Sequence, residues 1–161
     1  MQTINKRVVL DVDRCVGCRS CSSACFYGHN GMPNVSYSEF VEGTMPMICR
    51  QCPEAACMDA CPSGALKKSE EGAVVRSLML CWGCHSCAYA CPFGVLSEDL
   101  TRRQVAKCDL DIERTSVGKL PRCVATCPAG ALQFVEVEDV ERNNLLLISG
   151  RTLGRSAYRR R

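Results

Sequence analysis

Fifteen cysteines fall into four groups of regular spacing. Cys15, Cys18, Cys21 and Cys25 are separated by two, two and three residues, and Cys81, Cys84, Cys87 and Cys91 repeat that pattern, with Pro92 next. Cys49, Cys52, Cys57 and Cys61 form a variant with two extra residues before the third cysteine, and Pro62 follows. The last group, Cys108, Cys123 and Cys127-Pro128, has only three cysteines, with Asp111 three residues after the first. Thiolates are soft donors, so this inventory can serve disulfides, zinc or iron with sulfide.

The spacing discriminates among the three. A disulfide scaffold calls for an even count and a secretory leader. The count here is odd, and MQTINKRVVLDVD has neither an apolar signal core nor a twin arginine. Structural zinc uses paired C-x2-C units and often histidine, whereas these are triplets with a remote fourth member, and His29 and His85 are the only histidines. Triplet plus remote cysteine is the run of bacterial two-cluster ferredoxins, in which three thiolates bind one cubane and the fourth binds its neighbour. Iron–sulfur clusters are therefore the expected cofactors.

An internal repeat implies how the loops are placed. Cys61-Pro62-Ser63-Gly64-Ala65-Leu66, Cys91-Pro92-Phe93-Gly94-Val95-Leu96 and Cys127-Pro128-Ala129-Gly130-Ala131-Leu132 share one form, and Cys25-Phe26-Tyr27-Gly28 keeps only its glycine. Proline ends a short helix and glycine permits a turn into a strand. Val8-Val9 precede Cys15 by the offset at which Val74-Val75 precede Cys81, so a strand should enter each loop. Each unit reads as strand, loop, one helical turn, strand, an α+β arrangement with so little apolar core that iron removal should unfold it.

These four groups, in this order, resemble the four-cluster ferredoxin subunits of the dimethyl sulfoxide reductase type over about residues 8–135. The resemblance implies two ferredoxin-like halves, 1–48 with 106–140 and 49–105, and it does not cover the tail at 141–161, which reads from its own residues as a docking extension. It implies one cluster on Cys15, Cys18, Cys21 and Cys127, and a second on Cys49, Cys52, Cys57 and Cys91. A third would lie on Cys81, Cys84, Cys87 and Cys61. The fourth would have Cys108, Cys123 and Cys25, with Asp111 where the family has a cysteine. Three outcomes stay open for that corner: Asp111 ligates iron and completes a 4Fe-4S cluster, the corner is missing and a 3Fe-4S cluster remains, or the site holds nothing. Trp82 is expected to pack over its cluster, His85 to be an exposed loop residue and His29 to be a turn or interface residue, not a ligand.

The rest of the chain speaks to partners. No dinucleotide, nucleoside-triphosphate or hydrolase signature occurs, so the chain reads as an electron relay and not an enzyme. The resemblance makes a tungsten- or molybdenum-pterin catalytic subunit the expected partner, as in tungsten aldehyde oxidoreductases, with a flavin subunit serving NAD at the other end. The alternative is a freely diffusing polyferredoxin. From Arg142 onward there are six arginines and no acid, although the whole chain carries only +3, so a weakly acidic body ends in a basic tail. With LLLI at 145–148, that tail is expected to dock a partner or a second copy of the chain. Nucleic acid is not expected, because the positive charge is confined to the end. No run approaches the roughly 18 apolar residues of a membrane span, and a soluble, cytoplasmic protein is expected.

Overall fold

The computed structural model describes residues 5–32, 34–40, 43–96, 103–136 and 146–147. Most of the predicted docking tail, 141–161, lies outside these residues. Its described pair, Leu146–Leu147, forms strand β7.

Strand β1 (Lys6–Leu10) leads through a single 3-10 turn into the first cysteine loop, and helix α1 (Ser20–Gly28) carries Cys21 and Cys25. A hairpin follows, β2 (Ser36–Phe40) with β3 (Gly43–Met47). The second cysteine loop runs into α2 (Ala56–Asp59), then the hairpin β4 (Leu66–Lys68) and β5 (Val74–Arg76) leads to the third loop and α3 (Ser86–Tyr89). Two four-residue helices, α4 (Ile112–Thr115) and α5 (Arg122–Ala125), precede β6 (Leu132–Glu136).

The secondary structure mixes helices and strands, as the sequence pattern implied. β1 is the middle strand of a three-stranded sheet, antiparallel to β6 on one side and to β7 on the other. Leu146 and Leu147 thus pair with Leu10 and Val9 of their own chain. The three C-P-x-G repeats close alike: the N–H of Gly64, Gly94 and Gly130 donates to the carbonyl of Cys61, Cys91 and Cys127, and each glycine has φ near +60°. A side chain there would be strained, which explains why glycine recurs. Gly28 differs because it belongs to α1, which is nine residues long rather than one turn.

The apolar residues are unevenly shared. Val8, Leu10, Val35, Ile48, Ala73, Leu110, Ala131 and Leu132 pack with Cys21, Cys25 and Cys123 into one cluster around β1, β6 and the fourth cysteine loop. Among the described residues, two smaller triplets lie around the second and third loops, Ala55 with Leu66 and Val74, and Ala88 with Leu96 and Val105, and cysteine side chains pack against both.

Candidate metal centres

All four cysteine loops use one backbone device. The residue before the second ligand position is left-handed every time: Gly17 (φ 64°), Gln51 (53°), Gly83 (78°) and Leu110 (61°). That reversal wraps the chain around a point toward which successive thiols can converge. At Gly83 a Cβ would lie 2.1 Å from the Arg103 carbonyl oxygen, so no other residue fits there. The first and third loops also share Cys-x-Ser-Cys. The Cys18 thiol lies 3.4 Å from Ser20 Oγ and the Cys84 thiol 3.5 Å from Ser86 Oγ, and these hydroxyls lower the pKa of both exposed thiols.

Three cavities are lined by cysteines. Cys15, Cys18, Cys21 and Cys127 surround the first, site I, together with Val16, Leu10 and Leu132. Cys49, Cys52, Cys57 and Cys91 line site II. Cys61, Cys81, Cys84 and Cys87 line site III, at whose wall Trp82 also stands. Each cavity gathers a remote cysteine from another loop. A further group, site IV, gathers Cys25, Cys108 and Cys123 in one packed cluster, with Asp111 close enough to add to burial in raising the Cys25 and Cys123 thiols.

The thiol electrostatics test whether metal clusters suit these residues. Burial, and then the neighbouring Cys57, Cys61 and Cys81, push the Cys87 thiol up to about 11. Burial, Cys25 and Cys21 push Cys123 up to about 12. Burial, Cys49 and Cys123 raise Cys108 well above the ordinary thiol value. Thiols that repel one another's ionised forms at close quarters are well served by a cation between them, and metal uptake would displace their protons. The donor sets of four thiols at sites I, II and III fit 4Fe-4S clusters. They would be held by the cysteines named for each cavity.

Asp111 is engaged elsewhere. It is buried, and its Oδ2 accepts the Arg122 backbone N–H at 2.8 Å while its Oδ1 accepts from Arg122 Nη1. Three further residues at the sites were not singled out from the sequence. Gln51 is buried between loops: its Nε2 donates to the Cys108 carbonyl at 2.6 Å, and its Oε1 accepts from Val74 N–H at 2.7 Å. Buried Lys107 donates from Nζ to the carbonyls of Val74 (2.8 Å) and Cys108 (2.9 Å) and lies 3.3 Å from Cys49 Sγ. It also lines both site II and site III. Arg122 is the third. Its place directly before Cys123 was the available signal, and Lys107 likewise precedes Cys108.

Two expectations about single residues fail. His85 is buried at 3% exposure, not exposed, because its left-handed backbone turns it inward at the start of α3. Trp82 is 66% exposed and stands at the wall of site III instead of sealing it, and Leu78, Met79, Leu80 and Tyr89 are exposed too. His29 Nε2 approaches Asp109 Oδ1 at 4.0 Å just after α1.

Comparison with known proteins agrees with this chemistry. Residues 41–137 match the model of the 4Fe-4S dicluster domain, and residues 12–28 match that of a 4Fe-4S binding domain. Over 154 residues the sequence is 32% identical to one of the chains of the anaerobic dimethyl sulfoxide reductase of Escherichia coli (strain K12), covering 84% of this protein and 75% of that one. It is 37% identical over 166 residues to an iron-sulfur protein of Rhodospirillum rubrum, covering 86% and 87%. It is 32% identical over 165 residues to one of the subunits of the sulfite dehydrogenase of Allochromatium vinosum, covering 82% and 69%. This protein belongs to the 4Fe-4S dicluster family of iron–sulfur proteins.

Proposed function

We propose that this member of the 4Fe-4S dicluster family is the electron-relay subunit of a larger oxidoreductase, carrying four clusters in the order I, IV, II, III. The clusters supply one-electron transfer, and the chain's residues set their order and surroundings. One observation carries the reading: cysteines of successive sites are electrostatic neighbours. Cys21 of site I and Cys123 of site IV pack in one cluster, and Lys107 Nζ joins Cys49 Sγ of site II (3.3 Å) to the Cys108 carbonyl of site IV (2.9 Å). Cys57 of site II and Cys87 of site III pack against the same apolar triplets. In each pair one thiol is raised by burial and by the other cysteine. Sites I and III are thereby the ends. They are also where a cysteine is exposed, Cys18 at one and Cys84 at the other. A relay needs closely spaced inner centres shielded from water and outer centres within reach of partners.

Exposed apolar side chains stand at both ends. Val16 is exposed at site I and Trp82 at site III, and Leu78, Met79 and Leu80, which lead into the third loop, are exposed as well. Exposed apolar side chains at the ends suit lasting contacts with other subunits. This favours a bound subunit over the freely diffusing carrier. The relatives named as parts of a dimethyl sulfoxide reductase and of a sulfite dehydrogenase support the same choice, and in this reading the chain relays electrons and does not catalyse. A molybdenum- or tungsten-pterin catalytic subunit takes one end, a second redox subunit such as a flavin protein the other, and the cytoplasm is the compartment. The two ferredoxin-like halves, 1–48 with 106–140 and 49–105, each hold two sites.

The test is anaerobic purification of the tagged chain from its source, with metal analysis of the eluted species. Molybdenum or tungsten in constant proportion to iron, in a species much larger than 17.7 kDa, is the expected result. A monomer containing iron alone would establish the carrier instead.

A further inference from the structure

We infer that Arg122 sets the iron content of site IV: by holding the Asp111 carboxylate it keeps this centre a 3Fe-4S cluster on Cys25, Cys108 and Cys123. The inference rests on the reading that these residues hold an iron–sulfur cluster, and it concerns which of two clusters they hold.

The backbone speaks first. Cys18, Cys52 and Cys84, the second ligands of the other loops, are not among the residues of positive φ, but Asp111 is left-handed at φ 55°, ψ 52°. Asp111 therefore does not reproduce the conformation of the cysteines whose place it takes. Aspartate tolerates this region better than most residues. Its main chain is secured there as well: its N–H donates to Asp109 Oδ1 at 2.9 Å, and its carbonyl accepts from Arg114 N–H at 2.8 Å and Thr115 N–H at 3.0 Å.

The side chain is then claimed at both oxygens. Oδ2 accepts the Arg122 N–H, Oδ1 pairs with Arg122 Nη1, and Arg114 Nε stands 4.0 Å from Oδ2. Charge-assisted contacts of this kind are the strong ones, and freeing the buried carboxylate for iron would leave the guanidinium without its main partner. The space for that guanidinium is built into the fold. A Cβ on Gly28 would sit 2.4 Å from Arg122 Cδ and 2.7 Å from Nε, so α1 carries a glycine where the arginine crosses it. Three thiolates remain, which suffices for three irons but not for the fourth corner.

The test uses the full-length chain prepared anaerobically, with iron analysis and low-temperature EPR. Oxidised 3Fe-4S clusters are paramagnetic and oxidised cubanes are not. The wild type should contain about 15 irons and give the three-iron signal as isolated, in line with three cubanes and one three-iron cluster. Arg122→Met removes the guanidinium and frees Oδ1, so after exposure of the reduced protein to iron(II) the signal should disappear and iron rise to about 16. That conversion adds one iron(II) to a reduced 3Fe-4S cluster and moves no electron. Gly28→Ala, which displaces Arg122 without removing it, should do the same in part. Adding Asp111→Asn to Arg122→Met should restore the three-iron signal, because the new ligand is gone. Dithionite-reduced spectra of the other clusters report that each variant is folded. A wild type with about 16 irons and no three-iron signal would overturn the inference while leaving the four-cluster relay intact. About 12 irons would remove site IV from both readings. A three-iron signal unchanged in folded Arg122→Met would show that Arg122 does not decide the matter.

Discussion

The two regions that hold the sites differ in what keeps them folded. Around sites I and IV, a three-stranded sheet and a nine-residue helix packed on α5 enclose one cluster in which eight buried apolar residues pack with Cys21, Cys25 and Cys123. Around sites II and III, the two-stranded β4–β5 hairpin and the four-residue α2 and α3 have two apolar triplets between them, each completed by cysteines. The region with the larger apolar core is also the one in which Asp111 stands at a ligand position. A fold that does not depend wholly on its clusters tolerates the loss of one ligand. Where thiolates and iron make up the core, the same loss removes the core itself.

The strongest way to break this comparison is to remove the iron. Chelation under anaerobic conditions should bring amide exchange in β4, β5, α2 and α3 to unfolded rates, while β1 and β6 keep measurable protection in hydrogen-exchange mass spectrometry. Equal loss in both regions would mean that the apolar cluster around β1 does not stand alone. Next in size is Gln51, which ties the second loop to β5 and to Cys108. Gln51→Ala leaves a buried N–H and a buried carbonyl without these partners and should destabilise the holoprotein by about 3 kcal/mol. A denaturation midpoint followed by cluster absorbance would measure it, and a change confined to one region would sever the link between them.

Lys107 sharpens the comparison electrically. Its ammonium lies beside Cys49 and lines sites II and III, where a positive charge favours the reduced, more negative cluster. Lys107→Met should lower the reduction potentials there by something on the order of 100 mV, with little change at site I, read by redox titration with EPR. The smallest effect is expected at the edge of the sheet. The Lys6–Glu136 pair, 3.8 Å apart and largely exposed, should contribute no more than about 0.5 kcal/mol, so Lys6→Ala serves as the near-silent control in the same denaturation assay.

Much of the local design was readable. The cysteine spacing pointed to iron–sulfur chemistry because triplets with a remote member suit clusters and not zinc or disulfides. The C-P-x-G repeat pointed to turns into strands, and Gly64, Gly94 and Gly130 all make them. Val8-Val9 and Val74-Val75 marked the strands that enter the first and third loops. These signals are short-range: each depends on residues within about one turn or one strand of each other.

The rest required the fold. Trp82 and His85 exchanged the environments expected of them, because exposure depends on which way a left-handed loop turns its residues and on what packs behind it. Gln51 and Lys107 look like ordinary polar residues until tertiary structure buries them between loops that lie more than twenty residues apart in sequence. Asp111 is the clearest case. The sequence by itself placed a carboxylate at a ligand position and left its use open, since an oxygen can bind iron or a guanidinium. Only the packing of α1 against α5 brings Arg122 over Gly28 to Asp111, because that contact joins residues far apart in the chain that no spacing rule connects.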